Sequence, residues 1–226
     1  MRRIIKGPEP EELRRWKDEN AQVPQNLTFA NMPKPGVKTQ MLVEQGYICA
    51  YTMQQIATPD DCHIEHIVPQ SQPGQDPLLK ISYNNLLACA PGDAFGHRPE
   101  GGKCPFGAQE KGGAPVDESN FVSPLREDVE NRFRYATDGS IGHLVNDRAA
   151  GSTISILRLD HPQLIDLRKA AIDERVFPPE EILSSRDAED LSRAIMAPDG
   201  AGRLPEFCLA ISQVAAWYAN RVGDGN

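Results

Sequence analysis

Cys62-His63-Ile64-Glu65-His66-Ile67-Val68-Pro69-Gln70-Ser71 sets a carboxylate beside an imidazole in an otherwise apolar stretch. Further on, Tyr83-Asn84-Asn85-Leu86-Leu87-Ala88-Cys89 puts a polar doublet at the mouth of a second apolar run. Metal-assisted hydrolysis needs such parts. Glu65 offers the hard oxygen that Mg²⁺ or Mn²⁺ prefers. His66 is the candidate general base, because an imidazole titrates near neutrality and can take a proton from water. Asn84, with both a donor and an acceptor, is suited to brace the His ring or the loop between the two runs. One geometric demand follows. Neighbours in a regular strand face opposite sides, so Glu65 and His66 can share a site only where the strand twists or ends. Pro69 makes an end there plausible.

The elements around this pair read as α+β. Pro8-Glu9-Pro10 leads into a helix from Glu11 to Asp18, with acids at its start and bases after them. A second helix runs from Val37 to Glu44, with Gly46 as its stop signal. Tyr47 to Ala50 reads as a strand opening the core, and the Gly-rich text from Gly101 to Pro115 closes it. Beyond lies a hairpin, in which Arg132–Ala136 and Ile141–Leu144 flank Asp138-Gly139. Helical segments follow around Ala149–Leu157, Gln163–Arg175, Pro179–Met196 and Leu204–Val222. The expected division is an N-terminal helical extension (1–46), a core (47–115), and a hairpin with a helical tail (116–226) suited to docking a partner.

The Glu65-His66 pair, with Ile67-Val68-Pro69 and the later Asn84 and Leu86-Leu87, resembles the HNH, or ββα-metal, nuclease motif. The likeness narrows at Met1-Arg2-Arg3-Ile4-Ile5-Lys6-Gly7-Pro8-Glu9-Pro10, at Gln45-Gly46-Tyr47-Ile48-Cys49-Ala50-Tyr51, and at Phe133-Arg134-Tyr135 with Asp138-Gly139. Ile156-Leu157-Arg158-Leu159-Asp160 and Leu164-Ile165-Asp166-Leu167-Arg168 continue it. These stretches are similar to the HNH proteins of retron and Septu antiphage systems, the PtuB-like group, over roughly Met1 to Glu174.

The resemblance implies a ββα-metal fold and hydrolysis of phosphodiester bonds in nucleic acid, with DNA favoured over RNA such as tRNA. In it His66 is the base, Glu65 a ligand of Mg²⁺ or Mn²⁺, and an ABC/SMC-like, PtuA-like ATPase the partner. The family's closing ligand falls on Asp93, with His97 and Gln109 as alternatives. Many such proteins also carry a structural Zn²⁺ on two Cys-x-x-Cys pairs. Here Cys49, Cys89 and Cys104 supply three thiols, Cys62 or His97 would complete the set, and Thr52 stands where a Cys is usual. Buried thiols without metal are the alternative.

Charge bears on how the substrate arrives. Of 226 residues, 24 are Lys or Arg and 32 Asp or Glu, a net charge of −8. From Asp160 onward twelve acids meet seven bases, so five of those eight charges sit in the tail. Phosphate contacts need cations, and Arg2, Arg3, Lys6, Arg98, Lys103 and Lys111 are the candidates for a local phosphate track. Tight unaided binding of long DNA is not expected, and a partner that delivers the substrate fits better. Two other readings stay open: a stand-alone restriction-like nuclease, and a non-catalytic ββα scaffold. Five cysteines without a disulfide pattern, and no transmembrane stretch, point to the cytoplasm.

Overall fold

The computed structural model describes residues 1–92, 102–180 and 182–223. It is α+β, with two small antiparallel sheets set among helices. Helix α1 (Glu11–Asn20) follows Pro10, carries Glu11 and Glu12 in its first turn, and buries Leu13. Arg14 lies between Glu11 and Asp18 on its exposed side. Helix α2 (Lys34–Glu44) begins at a Pro and buries Val37, Met41 and Leu42. It ends before Gly46, whose φ of +62° suits a residue without Cβ; a Cβ there would lie 2.7 Å from Leu204.

After α2 the chain makes a tight loop in place of the expected strand over Tyr47–Ala50. A single bridge joins Ile48 to Gln55, and Cys49 N donates to Gln54 O at 2.8 Å. Strand β1 (His63–His66) then pairs antiparallel with β2 (Leu86–Cys89), matching His63 with Cys89 and His66 with Leu86. The Gln45 side chain fastens α2 to the outer side of β2. Its amide donates to Ile48 O and Ala88 O, and its oxygen accepts from Ala88 N. The short helix α3 (Ala108–Lys111) follows, held by a hydrogen bond from Gly107 N to Leu157 O at 2.7 Å.

The C-terminal half begins with α4 (Val129–Arg132), followed by the hairpin β3 (Phe133–Tyr135) and β4 (Ile141–His143). Its turn uses Gly139 at φ +80°, packed so closely on α6 (Pro162–Val176) that a Cβ would meet Ile165 O at 2.3 Å. Helices α5 (Arg148–Leu157), α7 (Ser185–Ala194) and α8 (Cys208–Gly223) complete the order. The sequence predicts α7 from Pro179 and α8 from Leu204, and both start later. Ser184 accepts from Asp187 N and caps α7 there. Pro205 biases Leu204 away from helical geometry, and Leu204 N bonds to Gly46 O instead. Buried apolar residues from all three expected segments, Met1 to Ala215, join in one hydrophobic cluster. No helix among the described residues is long and apolar enough to cross a membrane.

Candidate active site

Strand β1 stays regular to its end. Burial alternates along it, with His63 and Glu65 on the half-buried face and Ile64 and His66 on the buried one. Glu65 and His66 therefore leave opposite sides of the backbone. Of the two expected alternatives, a twist or an end, the structure has the end: β1 stops at His66, with both residues still paired in register with β2.

The two side chains meet different partners. Glu65 Oε1 accepts from Lys111 Nζ at 2.6 Å, and the same ammonium donates to His66 O at 2.8 Å. The Lys111 side chain is 1% exposed and that of Glu65 12%. Burial raises the Glu65 carboxyl above its ordinary range, and the Lys111 charge opposes the rise. On the other face, His66 Nε2 lies 2.9 Å from Lys80 O. A carbonyl can only accept, so Nε2 carries the proton and Nδ1 the lone pair. Nδ1 faces the exposed Gln70, whose Nε2 is 3.5 Å away. Phe29 meets the imidazole edge-on at 4.6 Å between centroids. Burial lowers the His66 pKa; the hydrogen bond to the Lys80 carbonyl opposes the fall, and the nearby Lys111 and Lys80 charges add to it.

The bracing expected of Asn84 is done by its neighbour. Asn84 is exposed, on a single turn of 3₁₀ helix, Tyr83–Asn85. Asn85 is buried; it accepts from Val68 N at 2.8 Å and donates to Val68 O and Leu79 O at 3.1 Å each. It ties together the chain leaving β1 and the chain entering β2. An Asn-Asn doublet signals such a brace without saying which member turns inward.

The proposed metal ligands fare unevenly. Asp93 and His97 lie outside the described residues. Gln109 accepts from Cys104 N at 2.7 Å and so ties α3 to the chain that precedes it. Among the described residues no three His, Cys, Asp or Glu side chains are placed to hold a metal ion. Glu65 is thus a lone carboxylate whose charge is already met by an ammonium. As arranged, the described donors do not fit a bound Mg²⁺ or Mn²⁺, and no step is derived through one.

Of the thiols, Cys49 and Cys89 come together. Burial resists ionisation of Cys49, but hydrogen bonding from the Cys89 and Thr52 side chains holds it well below the ordinary thiol range. Burial and the Cys49 charge push Cys89 up. Cys104 is buried, and its ionisation is opposed by burial and by the Cys49 charge. Cys62 turns its Sγ to Pro59 O at 3.3 Å. Thr52 fills the fourth position with a hydroxyl that lies 3.1 Å from Gln54 Oε1.

The phosphate track is also corrected. Lys111 is buried on Glu65, and Lys6 is buried 3.6 Å from Glu44 and over the Tyr83 ring. Arg2 pairs with Glu130, Arg3 with Glu127 and Lys103 with Glu110. Arg98 lies outside the described residues. Each of the five described cations therefore has a carboxylate partner, Lys6 and Lys111 in buried pairs.

Asn85, which has a role at this site, was not singled out by sequence, and Lys111 was expected only on a phosphate track. Gln70 and the Lys80 carbonyl, which orient His66, carried no sequence signal at all. Compared with known proteins, the chain matches no protein-family model and no curated protein.

Proposed function

We propose that this chain hydrolyses phosphodiester bonds in nucleic acid, DNA before RNA, with His66 as general base. We propose further that it does so as the nuclease subunit of an antiphage complex with an ABC/SMC-like ATPase. The observation that carries the reading is the His66 tautomer. A proton fixed on Nε2 by the Lys80 carbonyl leaves Nδ1 as the basic atom, and burial lowers the pKa of the ring. The order β1, β2, α3, with Lys111 of α3 returning to Glu65 of β1, agrees with a ββα unit. The neutralised cations and the net charge of −8 favour a substrate brought by a partner over one captured unaided.

A second reading has one observation in its favour. A carboxylate committed to a buried ion pair is what a non-catalytic scaffold would keep. One experiment separates the two. Labelled duplex DNA, single-stranded DNA and tRNA are incubated with the protein, alone and with an ABC/SMC-like ATPase. His66→Ala is run in parallel. Nuclease action predicts cleavage that His66→Ala lowers by roughly 10²–10⁴. Cleavage that His66→Ala leaves unchanged removes His66 from the role, and no cleavage in any combination supports the scaffold.

A further inference from the structure

A groove of about 550 Å³ lies between the β3–β4 hairpin and α8, and no residue of the Glu65–His66 site lines it. That volume suits a small ligand held by an apolar wall and a few convergent polar groups. Both are present. Arg134 Nη1 donates to Asn131 O and Phe133 O at 2.9 Å each, which fixes the guanidinium along β3. Among the described residues its Nε and Nη2 have no partner, and no carboxylate pairs with it. The Asn131 side-chain amide and the Thr137 hydroxyl also line the groove without a hydrogen bond to any described residue. Gln213, by contrast, is fully engaged: its oxygen accepts from Tyr135 N at 3.1 Å, and its amide donates to Phe133 O at 3.2 Å and Glu130 O at 3.3 Å. The outward backbone groups of β3 are thereby taken, so an extended peptide has little main chain to pair with here. The opposite wall carries Trp217, whose indole is 44% exposed. Arg221 Cζ lies 4.6 Å from the centre of that ring, and Arg221 has no carboxylate partner among the described residues either.

We propose that this groove binds a nucleotide, with the base stacked on Trp217 and the phosphate on Arg134. Each part of such a ligand has a counterpart on the walls. An exposed indole offers a stacking surface to any base. A guanidinium held by its backbone, with its remaining donors free, is suited to a phosphate. The amide of Asn131 and the hydroxyl of Thr137 can meet the polar edge of a base. A phosphorylated phenyl ring has no such edge and would leave both groups unused. The same chemistry is offered by a free nucleotide and by an unpaired nucleotide within a strand. The site rests on no part of the nuclease reading, since it uses neither Glu65 nor His66.

The chain has two tryptophans, Trp16 and Trp217, so Trp16→Phe leaves Trp217 as the only indole reporter. The full-length protein is titrated with adenosine monophosphate (AMP), adenosine, inorganic phosphate, phosphotyrosine and a short single-stranded oligodeoxyadenylate. Trp217 emission is followed in Trp16→Phe, and heat in the unaltered protein. AMP is expected to quench Trp217 saturably, with adenosine and phosphate each binding at least about tenfold more weakly because each keeps one anchor. Arg134→Gln should weaken AMP by about tenfold or more, and Trp217→Leu, read by calorimetry, should do the same. A strand that binds more tightly than AMP makes an unpaired nucleotide of a strand the occupant; one that binds no more tightly makes it a free nucleotide. Absence of saturable AMP and strand binding overturns the proposal, as does phosphotyrosine binding more tightly than AMP; neither result requires a binding-site variant to fold. An AMP affinity left unchanged by Arg134→Gln or by Trp217→Leu overturns it as well. Failure of the nuclease reading would appear elsewhere, as cleavage indifferent to His66→Ala.

Discussion

Lys111 and Glu65 are separated by 46 positions in the chain and share a buried ion pair of 2.6 Å. The pair joins α3 to β1, and its energetics are asymmetric. Losing Lys111 alone leaves a buried carboxylate with no counter-charge, whereas losing both charges leaves nothing to compensate. Lys111→Met is expected to cost about 3–5 kcal/mol of unfolding free energy, and the Lys111→Met/Glu65→Gln double variant markedly less. Urea unfolding of the four members of this double-mutant cycle gives both numbers. Equal losses in the single and double variants would show that the stem of Lys111, and not its charge, holds α3 in place.

Asn84 and Asn85 should behave very differently under the same substitution. Asn85→Ala strands Val68 N, Val68 O and Leu79 O in a half-buried loop, at a cost of about 1–3 kcal/mol. Asn84→Ala removes an exposed side chain and should stay within about 0.5 kcal/mol. Thermal and urea unfolding of both variants decide it, and a large loss in Asn84→Ala with little in Asn85→Ala would reverse the assignment.

The burial of His66 ties stability to pH with a definite sign. Its folded pKa is lowered, so below its ordinary value of 6.5 the unfolded chain binds a proton that the folded one resists. Its contribution is complete above that value and declines as pH falls toward the folded pKa. Glu65, with its pKa raised, acts oppositely: the folded state binds its proton first, so its share of stability grows as pH falls from the raised value toward 4.5. His66→Gln should therefore lose less stability than wild type between pH 7.5 and pH 5.5, as measured by urea unfolding at both. Equal losses in the two proteins would mean that the folded ring accepts its proton freely.

Much of the fold was legible because local chemistry decided it. Pro10 and the acids after it start α1, and Asp138-Gly139 supplies the positive φ that the β3–β4 turn uses. Where Ser184 and Pro205 delay α7 and α8, the signals were also in the sequence, as a cap and a helix-breaking dipeptide, but apolar spacing outweighed them. The site was legible only in part. The alternation that separates Glu65 from His66 is the ordinary behaviour of a strand, and of a twist or an end, the two places expected for the pair, β1 has the end, at His66. Lys111 reads as a phosphate contact; its burial depends on α3 bringing the side chain back to Glu65 of β1, which no local pattern encodes. The Cys49–Cys89 contact was likewise anticipated as a thiol grouping, while the turn of Cys62 away toward Pro59 was not.

Gln45 has a consequence beyond joining α2 to β2. A two-strand sheet ordinarily leaves outward N–H and C=O groups that can recruit a strand from another molecule. At Ala88 both are already taken, the N–H by the Gln45 oxygen and the carbonyl by the Gln45 amide and Ala50 N. One side chain thus imitates an additional strand, and the apolar run Leu86-Leu87-Ala88 is kept from seeding self-association.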